Sequence, residues 1–306
     1  MDAKHLTLLV IGSSNTDMVI QTGHLPRPGE TVPGGAFFMN PGGKGANQAV
    51  AIARLGGHAA FICKTGNDIF GQQAQRVLKD EGLDTSRIFI DERHPSGVAL
   101  IMVDGQGENC IAVAGGSNNH LTPADIASVT DVIREADIIL MQLEIPIETV
   151  EYVAEMAFRA GKKVILNPAP AQALSPELLR RLYLITPNET EAEVLSGVKI
   201  TDTPSAEEAA RVIAARGVPH VIITLGAKGA LICSGGRMER VPAVRVEAID
   251  TTAAGDIFNG ALAVALAEHR TLTDAAAFAA KAAAISVTRA GAQASAPRRH
   301  EVDLFH

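Results

Sequence analysis

The chain has 306 residues, a formal net charge of −7, and 20% charged against 47% hydrophobic residues. This length suits one large α/β domain or two smaller ones, and the composition is that of a globular protein with a buried core. The acidic balance argues against nucleic acid or an anionic membrane surface as the main partner. It does not exclude a phosphorylated ligand, which backbone dipoles can bind locally.

The N-terminal residues and the cysteines indicate where the protein is located and whether it contains zinc sites or disulfides. The apolar run at residues 6–11 is too short for a signal sequence or a bilayer span, so we expect a cytoplasmic protein with no membrane partner. Cys63, Cys110 and Cys233 stand alone in apolar runs. They predict neither a zinc site nor a disulfide framework.

The first part of the chain predicts a strand and a projecting sheet. Residues 6–13 read as a buried parallel strand, and Asn15 and Asp17 follow at its carboxyl end, where open α/β sheets bind ligands. Short strands at 18–20 and 34–38, and a hairpin formed by 97–103 and 110–113, interrupt the β-α alternation. We therefore predict a small sheet, built from insertions at about 16–39 and 96–114, that closes over the site as a lid.

A glycine-rich segment at residues 41–48, Pro-Gly-Gly-Lys-Gly-Ala-Asn-Gln, opens a helix that runs to about Leu55. A P-loop is excluded because glycine follows Lys44, and Gln48 stands where the dinucleotide-binding fingerprint needs a third glycine. The three glycines indicate a close approach of the backbone, either to a ligand or to a neighbouring element.

The rest of the chain alternates between strands and helices, which predicts a doubly wound, mostly parallel sheet flanked by helices. Strands are expected at 58–64, 136–143, 163–167, 184–186 and 221–224, and helices at 69–81, 146–160, 176–181, 257–268 and 274–287. Glu144 ends one buried strand, and a carboxylate at that edge needs a partner or a ligand. Residues 241–249 read as an extended segment.

Residues 250–260, Asp-Thr-Thr-Ala-Ala-Gly-Asp-Ile-Phe-Asn-Gly, carry the most chemical information. The small residues Ala253, Ala254 and Gly255 lie at a predicted helix start, where free amides and the helix dipole attract phosphate. Asp256 follows in the first turn. A carboxylate beside a phosphate suits a general base that accepts the proton of an attacking hydroxyl, and the alternative role is a helix cap.

The 250–260 stretch resembles the C-terminal signature of the ribokinase-like (PfkB) carbohydrate kinases, and residues 42–49 are similar to their N-terminal signature. The resemblance extends over residues 12–295. It implies ATP-dependent phosphorylation of D-ribose at its 5-hydroxyl, with Asp256 as general base and the 253–255 amides at the transferred phosphoryl group. The alternatives are a 2-deoxyribose kinase, another sugar kinase of the family, or a non-catalytic sugar sensor.

The same resemblance assigns ligands to individual residues. It implies a sugar site formed by Asn15, Asp17, Gly43, Lys44, Gly45, Asn47, Glu144 and Asp256. It implies a nucleotide site formed by Asn188, Thr224, Gly226, Gly229 and Gly255. Mg²⁺ would lie near Asn188 and Glu191, through water, and activating K⁺ near Asp250, Thr252, Ser286, Arg289, Gly291 and Ser295.

Several of these assignments have a structural alternative. Asn188 and Glu191 also fit the cap of a helix, Asp17 the end of a strand, and Lys44 a solvated surface charge. Ala280 stands where the family often has His or Asn near the adenine, a departure from the family pattern that bears on adenine selectivity.

The projecting sheet also predicts an assembly. It would leave an apolar face that contains Phe37, Phe38, Leu100 and Met102. One lid cannot bury both of its faces, so we expect a homodimer in which the lids pair.

Overall fold

The computed structural model describes residues 7–33 and 35–305, so the predicted strand start at Leu6 and position 34 of the 34–38 strand lie outside the described residues. The strands are β1 (Leu8–Ile11), β2 (Asn15–Gln21), β3 (Phe37–Gly42), β4 (Ala59–Gly66), β5 (Ile88–Asp91), β6 (Gly97–Val103), β7 (Asn109–Ala114), β8 (Ile138–Met141), β9 (Lys163–Leu166), β10 (Leu184–Ile185), β11 (His220–Thr224), β12 (Ala230–Ser234) and β13 (Arg237–Val241). The α-helices are α1 (Lys44–Arg54), α2 (Ile69–Asp80), α3 (Pro123–Ala127), α4 (Thr130–Glu135), α5 (Ile147–Arg159), α6 (Pro176–Arg181), α7 (Glu189–Ser196), α8 (Thr203–Ala215), α9 (Ala254–Ala267), α10 (Leu272–Ser286) and α11 (Arg299–Leu304). Short 3₁₀ helices lie at Gly116–His120, Gly226–Lys228 and Gln293–Ser295.

A nine-stranded main sheet has the order β13-β12-β11-β10-β9-β8-β1-β4-β5. Neighbouring strands from β11 to β5 are parallel, and β12 and β13 pair antiparallel at one edge. The predicted doubly wound, mostly parallel sheet is therefore confirmed. The strand order reverses beside β1, which pairs with both β4 and β8. Such a switch point leaves a crevice at the carboxyl ends of the strands, where ligands bind.

Hydrophobic clusters fill the space between the main sheet and its helices, one on each side. One joins the sheet to α1, α9 and α10, and the other joins it to α5, α6 and α8. The helices α1 and α9 approach closely at Gly260, where a Cβ would lie only 2.7 Å from the Cβ of Ala51 and 2.8 Å from the carbonyl oxygen of Gln48. This contact fixes the starts of both helices beside the switch point. Among the described helices, none has the length and apolar character that a bilayer span requires.

The predicted projecting strands form a second, four-stranded sheet with the order β3-β2-β6-β7, called the small sheet below. The hairpin β6–β7 is confirmed, and β2 pairs with β6 in parallel. Because β2 begins at Asn15, the predicted sugar ligands Asn15 and Asp17 belong to the small sheet itself. They do not lie in a loop after β1.

The predicted apolar face of the small sheet is wrong in one member. Phe37 and Phe38 are consecutive in β3, so their side chains point to opposite faces. Strand register defines an outer face with Met18, Ile20, Phe37, Met39, Leu100 and Met102. It defines an inner face with Asp17, Val19, Phe38, Ala99, Ile101, Ile111 and Val113. Phe38 therefore lies on the same face as Asp17.

The C-terminal half contains elements that the sequence analysis did not predict. β12 and β13 form a hairpin around Gly235 and Gly236, whose φ values of 56° and 77° suit a tight type I′ turn. The segment at 241–249 joins no sheet beyond Val241, because β13 ends at that residue and a loop follows it. Helix α8 was also not predicted, although the side chain of Asp202 caps it.

Candidate active site

A cleft of about 190 Å³ opens at the switch point, where α9 begins beside α1. It is lined by Lys44, Asn167, Ala169, Thr186, Asn188, Glu191, Thr224, Thr251, Ala253, Ala254, Gly255, Asp256 and Asn259. Residues predicted separately for sugar, metal and phosphate binding therefore line one cleft.

Asp256 is the buried carboxylate of this cleft, with 6% of its surface exposed. Its Oδ2 accepts a hydrogen bond from Asn47 Nδ2 at 2.9 Å, and its Oδ1 accepts one from Gln48 Nε2 at 3.0 Å. Burial raises the pKa of Asp256, against the opposing influence of Lys44 and the two amides. The cap position of α9 belongs to Ala253, and no side chain forms a cap bond there. The helix-cap alternative for Asp256 is therefore wrong.

Glu144 connects the end of β8 to the start of α1. Its Oε2 accepts hydrogen bonds from the Ser13 hydroxyl at 2.5 Å and the Lys44 amide at 3.0 Å, and its Oε1 lies 3.9 Å from Lys44 Nζ. Burial acts to lower the pKa of Lys44. The carboxylates of Asp256 and Glu144 outweigh burial, so that the pKa is raised and the ammonium group stays charged.

The glycines of the predicted sugar segment allow neighbouring backbones to approach. Gly43 has a φ of 88°, and a Cβ there would lie 2.7 Å from the amide nitrogen of Asn15. At Gly45 a Cβ would lie 2.6 Å from the amide nitrogen of Ser13. Both glycines are therefore required by the packing of α1 against the strands, whatever contacts their amides make with a ligand.

Asp17 approaches the same region from the inner face of the small sheet. Burial, and then the negative charge of Glu144, raise the pKa of Asp17 to about 6, while Lys44 opposes the shift. A side chain on Gly42 would collide with the Asp17 carboxylate, so Gly42 makes room for that group. Asp17 thus changes charge near neutral pH, unlike an ordinary surface aspartate.

Asn118, which the sequence analysis did not single out, fixes the orientation of Asn15. Its Nδ2 donates to Asn15 Oδ1 at 2.7 Å and to the Ser14 carbonyl at 3.1 Å, and its Oδ1 accepts from the Ser14 amide at 3.0 Å. Because Asn118 occupies the side-chain oxygen of Asn15, the side chain of Asn15 has N–H donors left to offer a ligand.

Asn188 and Glu191 line the cleft and form a capping box at the start of α7. The Asn188 side chain accepts from the Glu191 amide at 2.8 Å, while the Glu191 carboxylate accepts from the Asn188 amide and from its Nδ2, both at 2.9 Å. The two residues therefore do cap a helix, as the structural alternative predicted, and they also line the cleft. Within the described residues no cluster of three acidic, histidine or cysteine side chains forms a metal cage. One carboxylate at the cleft wall fits an Mg²⁺ ion held mainly by phosphates and water.

The predicted nucleotide loop follows β11. Thr224 lines the cleft and its amide donates to the Pro187 carbonyl at 2.9 Å, which connects the loop to the Asn188 segment. Gly226 and Gly229 have φ values of 52° and 94°. At Gly229 a Cβ would collide with the backbone of Val241, whereas at Gly226 it would meet open space.

The predicted K⁺ residues fall into two groups. The Asp250 carboxylate accepts from the Thr252 amide at 2.9 Å and from the Gly291 amide at 2.8 Å, so it ties the segment before α9 to the loop after α10. The Arg289 side chain instead pairs with Glu301 at 2.5 Å. The hydroxyls of Ser286 and Ser295 donate to carbonyls of their own segments at 2.8 Å. For these three residues, the main-chain carbonyls are the groups suited to a cation.

The start of α9 has an unusual backbone. Ala253 adopts a left-handed conformation with a φ of 59°, and the amide of Ala254 donates to the Thr251 carbonyl at 3.2 Å. The regular helical bonding begins only at Ile257, whose amide donates to the Ala253 carbonyl. The amides of Gly255 and Asp256 therefore precede the helical ladder. A Cβ on Gly255 would meet no atom within 4 Å, so protein packing does not require this glycine.

A further set of polar residues lies at the cleft, where Asn167 and Thr186 belong to the lining and Gln142 does not. Gln142, Asn167 and Thr186 each lie at the carboxyl end of a buried parallel strand and are themselves buried. The sequence analysis did not single them out, although a polar residue at the end of an apolar strand was the signal that identified Glu144.

A doubly wound sheet, a buried carboxylate in a cleft and helix amides beside it suit an enzyme that transfers a phosphoryl group to a hydroxyl. The family model for the pfkB family carbohydrate kinases matches residues 6–299. The ribokinase of Haemophilus influenzae is 47% identical over 299 residues, which cover 98% of each chain. The deoxyribokinase of Salmonella typhi is 37% identical over 293 residues, covering 95% of this chain and 96% of its own.

A solved structure gives the same result. The structure of Arabidopsis thaliana ribokinase complexed with ribose and ATP matches with a TM-score of 0.92 and 31% identity over 98% of each chain. The chain therefore belongs to the pfkB carbohydrate kinase family, and the membership predicted from the sequence signatures is confirmed.

Proposed function

We propose that this protein phosphorylates D-ribose at its 5-hydroxyl with ATP. The observation that carries the proposal is the position of Asp256, a buried carboxylate that lines the cleft one residue after the open Gly255 amide. The similarity to ribokinases from bacteria and a plant, one of them complexed with ribose and ATP, supports this substrate pair.

Asp256 acts in the proposal as the general base. It accepts the proton of the 5-hydroxyl as the oxygen attacks the γ-phosphorus of ATP, the P–O bond to ADP breaks, and ADP leaves. Burial raises the pKa of Asp256 toward the working pH, which is where a base is most effective. Lys44, Asn47 and Asp17 lie around this carboxylate and supply the donors and acceptors that a sugar needs.

The proposed phosphoryl site is the start of α9. Gly255 has space on its cleft side, so a phosphate oxygen can approach its amide without meeting a side chain. The helix dipole and the free amides favour the negative charge of the phosphoryl group. Thr224, Gly226 and Gly229 form the adjacent wall for the rest of the nucleotide, with Asn188 beside them.

We also propose two cations. Mg²⁺ supplies charge neutralisation at the ATP phosphates, and Asn188 and Glu191 would orient its water shell. K⁺ would lie beside Asp250, contacted by carbonyl groups of the 250–252 and 286–295 segments.

The base is tested by Asp256→Asn, which removes the proton acceptor with little change in size. ADP release coupled to ribose should fall at least about 10²-fold, while ATP binding measured by calorimetry is kept. Asp131→Asn is the matched control, because Asp131 is exposed and pairs only with Arg87 among the contacts seen. Near-normal turnover in Asp256→Asn would remove Asp256 as the base.

A 2-deoxyribose kinase is the second candidate, because one relative is a deoxyribokinase. Asp17 favours ribose: a buried acceptor loses a partner when the sugar lacks a hydroxyl, and such sites discriminate strongly. We expect a higher kcat/KM for ribose than for 2-deoxyribose, and a smaller ratio in Asp17→Ala. A preference for 2-deoxyribose in the wild-type protein would select the second candidate.

The proposal extends to the whole chain. We infer that residues 1–306 act as one ribokinase-like unit in which the small sheet is the lid of the cleft. We also propose a homodimer that pairs through the outer face of the small sheet. The cytoplasmic location stays a prediction from the sequence.

A further inference from the structure

Gln48 lies directly behind the proposed base and has no assigned role. It is completely buried, with 0% of its surface exposed, and it is not among the residues that line the cleft. Its Nε2 donates to Asp256 Oδ1 at 3.0 Å and to Asn167 Oδ1 at 3.1 Å, while its Oε1 accepts from Gln142 Nε2 at 2.5 Å.

The hydrogen bonds of Gln48 permit only one orientation of its amide group. Reversing the amide would turn Oε1 toward the acceptor oxygens of Asp256 and Asn167, and Nε2 toward the donor of Gln142. Buried groups of like polarity set against one another lose their hydrogen bonds in a setting where water cannot replace them. The surrounding network therefore turns the N–H donor of Gln48, and not its oxygen, toward Asp256.

The network continues to the helix that carries the base. Asn167 Nδ2 donates to the Thr186 carbonyl at 3.4 Å, and the Thr186 hydroxyl donates to Asn259 Oδ1 at 2.6 Å. Asn259 Nδ2 then donates to the Gly255 carbonyl at 2.8 Å. Strands β8, β9 and β10 are thus connected through side chains to both the carboxylate of Asp256 and the peptide group next to it.

We propose that Gln48 is a positioning residue, which fixes the Asp256 carboxylate for proton acceptance without touching the sugar. The inference rests on the proposed function of Asp256. Asn47 holds the other carboxylate oxygen, but it is also a predicted sugar ligand, so Gln48 is the residue at which positioning can be tested separately.

The charge of Asp256 gives the test a specific readout. Burial raises its pKa, and the donors Gln48 and Asn47 lower it. Four charged groups face Asp256. Lys44 lowers the pKa of Asp256 and Glu144 raises it. The charge of Asp256 in turn raises the pKa of Asp17 and of Glu191. Removing the Gln48 donor leaves these charges in place. Asp256 then loses its proton only at a higher pH, so the acid limb of the kcat profile shifts to higher pH.

The experiment compares pH profiles of kcat for the wild-type enzyme, Gln48→Met and the control Gln75→Met. Gln75 is a half-buried glutamine on α2 whose Nε2 lies 3.4 Å from the Thr65 hydroxyl, away from the cleft. In Gln48→Met we expect the acid limb to shift by about one unit to higher pH and kcat at neutral pH to fall about 10-fold. KM for ribose should stay within about 3-fold of the wild-type value. The control should match the wild-type enzyme.

Two outcomes would overturn the inference. One is a loss of kcat with an unmoved acid limb, which a merely structural role would produce, and the other is an unchanged enzyme. If Gln48→Met does not fold, Gln48→Leu also removes the N–H donor without adding a charge, and must move the acid limb in the same direction. Asp256→Asn separates the two proposals: if that variant stays active, the base is misassigned, whereas an inactive Asp256→Asn with an unmoved Gln48→Met profile refutes only the role of Gln48.

Discussion

At the scale of single residues, Asp17 has a pKa that falls within an accessible pH range. Burial and the charge of Glu144 raise its pKa to about 6, above the usual 3.8, so it is protonated below about pH 6 in the folded protein. A protonated carboxyl loses most of its acceptor strength toward a sugar hydroxyl. We therefore expect KM for ribose to rise about 10-fold between pH 7 and pH 5, because about one tenth of Asp17 stays ionised at pH 5.

The matched variant is Asp17→Asn, which should have a high KM that changes little over this range. It also tests the stability linked to the same pKa. A folded-state pKa above the unfolded value costs stability as pH rises from about 4 to 6, so Asp17→Asn should raise the free energy of unfolding by up to about 3 kcal/mol at pH 8 and by little at pH 4. A flat KM profile in the wild-type enzyme would contradict the assignment.

The position of a residue in the cleft was predictable where a local sequence signature contains it, as for Asp256 and Lys44. It was not predictable where the role depends on distant partners. Asn118 holds Asn15 across 103 positions, and Gln142 contacts Gln48 across 94. Such contacts arise only when strand order and helix packing bring the segments together, and a single sequence does not state that order.

At the scale of elements, the two helix starts are positioned by different means. The start of α1 is fixed by glycines that let it pack on β1 and β2, whereas the start of α9 contains the left-handed Ala253 and the open Gly255. A non-glycine residue in that conformation costs free energy, which native structures retain mostly at functional sites. The geometry of the proposed anion site therefore depends on the segment that precedes α9.

The contacts of Asp250 connect that segment to the proposed K⁺ site. Because its carboxylate holds both the Thr252 and the Gly291 amides, a cation that orders one segment also orders the other. We expect K⁺ to raise kcat, Na⁺ to raise it less because it is smaller and more strongly hydrated, and tetramethylammonium to have no effect.

The control for Asp250 is again Asp131, an aspartate on the surface. Asp250→Ala should lower kcat about 10-fold or more and abolish the preference for K⁺, whereas Asp131→Ala should retain it. Melting temperatures in each salt give a second measurement, since a cation bound only to the folded state stabilises it. Equal rates in K⁺ and tetramethylammonium would count against the site.

Most elements were predictable because their apolar periodicity is strong, as in the buried strands β1, β8 and β11 and the helices α5 and α9. The hairpin β12–β13 was not predicted, although its Gly-Gly turn was a usable signal. Its second strand, Arg237–Val241, alternates exposed charged residues with few apolar ones, as an edge strand does. Edge strands show the weakest hydrophobic pattern, which is why β13 was not predicted.

At the scale of the whole molecule, the two faces of the small sheet have different surroundings. Its inner face carries Asp17 toward the cleft and buries Val19 and Ala99. The inner face also exposes Ile111 and Val113, in the edge strand β7, whereas the outer face exposes Phe37 at 61%, Leu100 at 54% and Met39 at 44%, across β3 and β6. A contiguous apolar surface of this kind on a sheet is typical of a protein interface.

We expect this outer face to hold a homodimer together. A two-fold axis would bring the outer face of one small sheet against that of its partner, so each covers the other. Leu100→Asp would set a charge into this interface from both subunits, and we expect it to give a monomer by light scattering at micromolar concentration. Ile111→Asp is the matched control, since Ile111 is 54% exposed as well but lies on the inner face, and it should leave a dimer. A monomeric wild-type protein, or a Leu100→Asp variant that stays dimeric, would contradict the outer-face interface, and a monomer from Ile111→Asp alone would move it to the inner face.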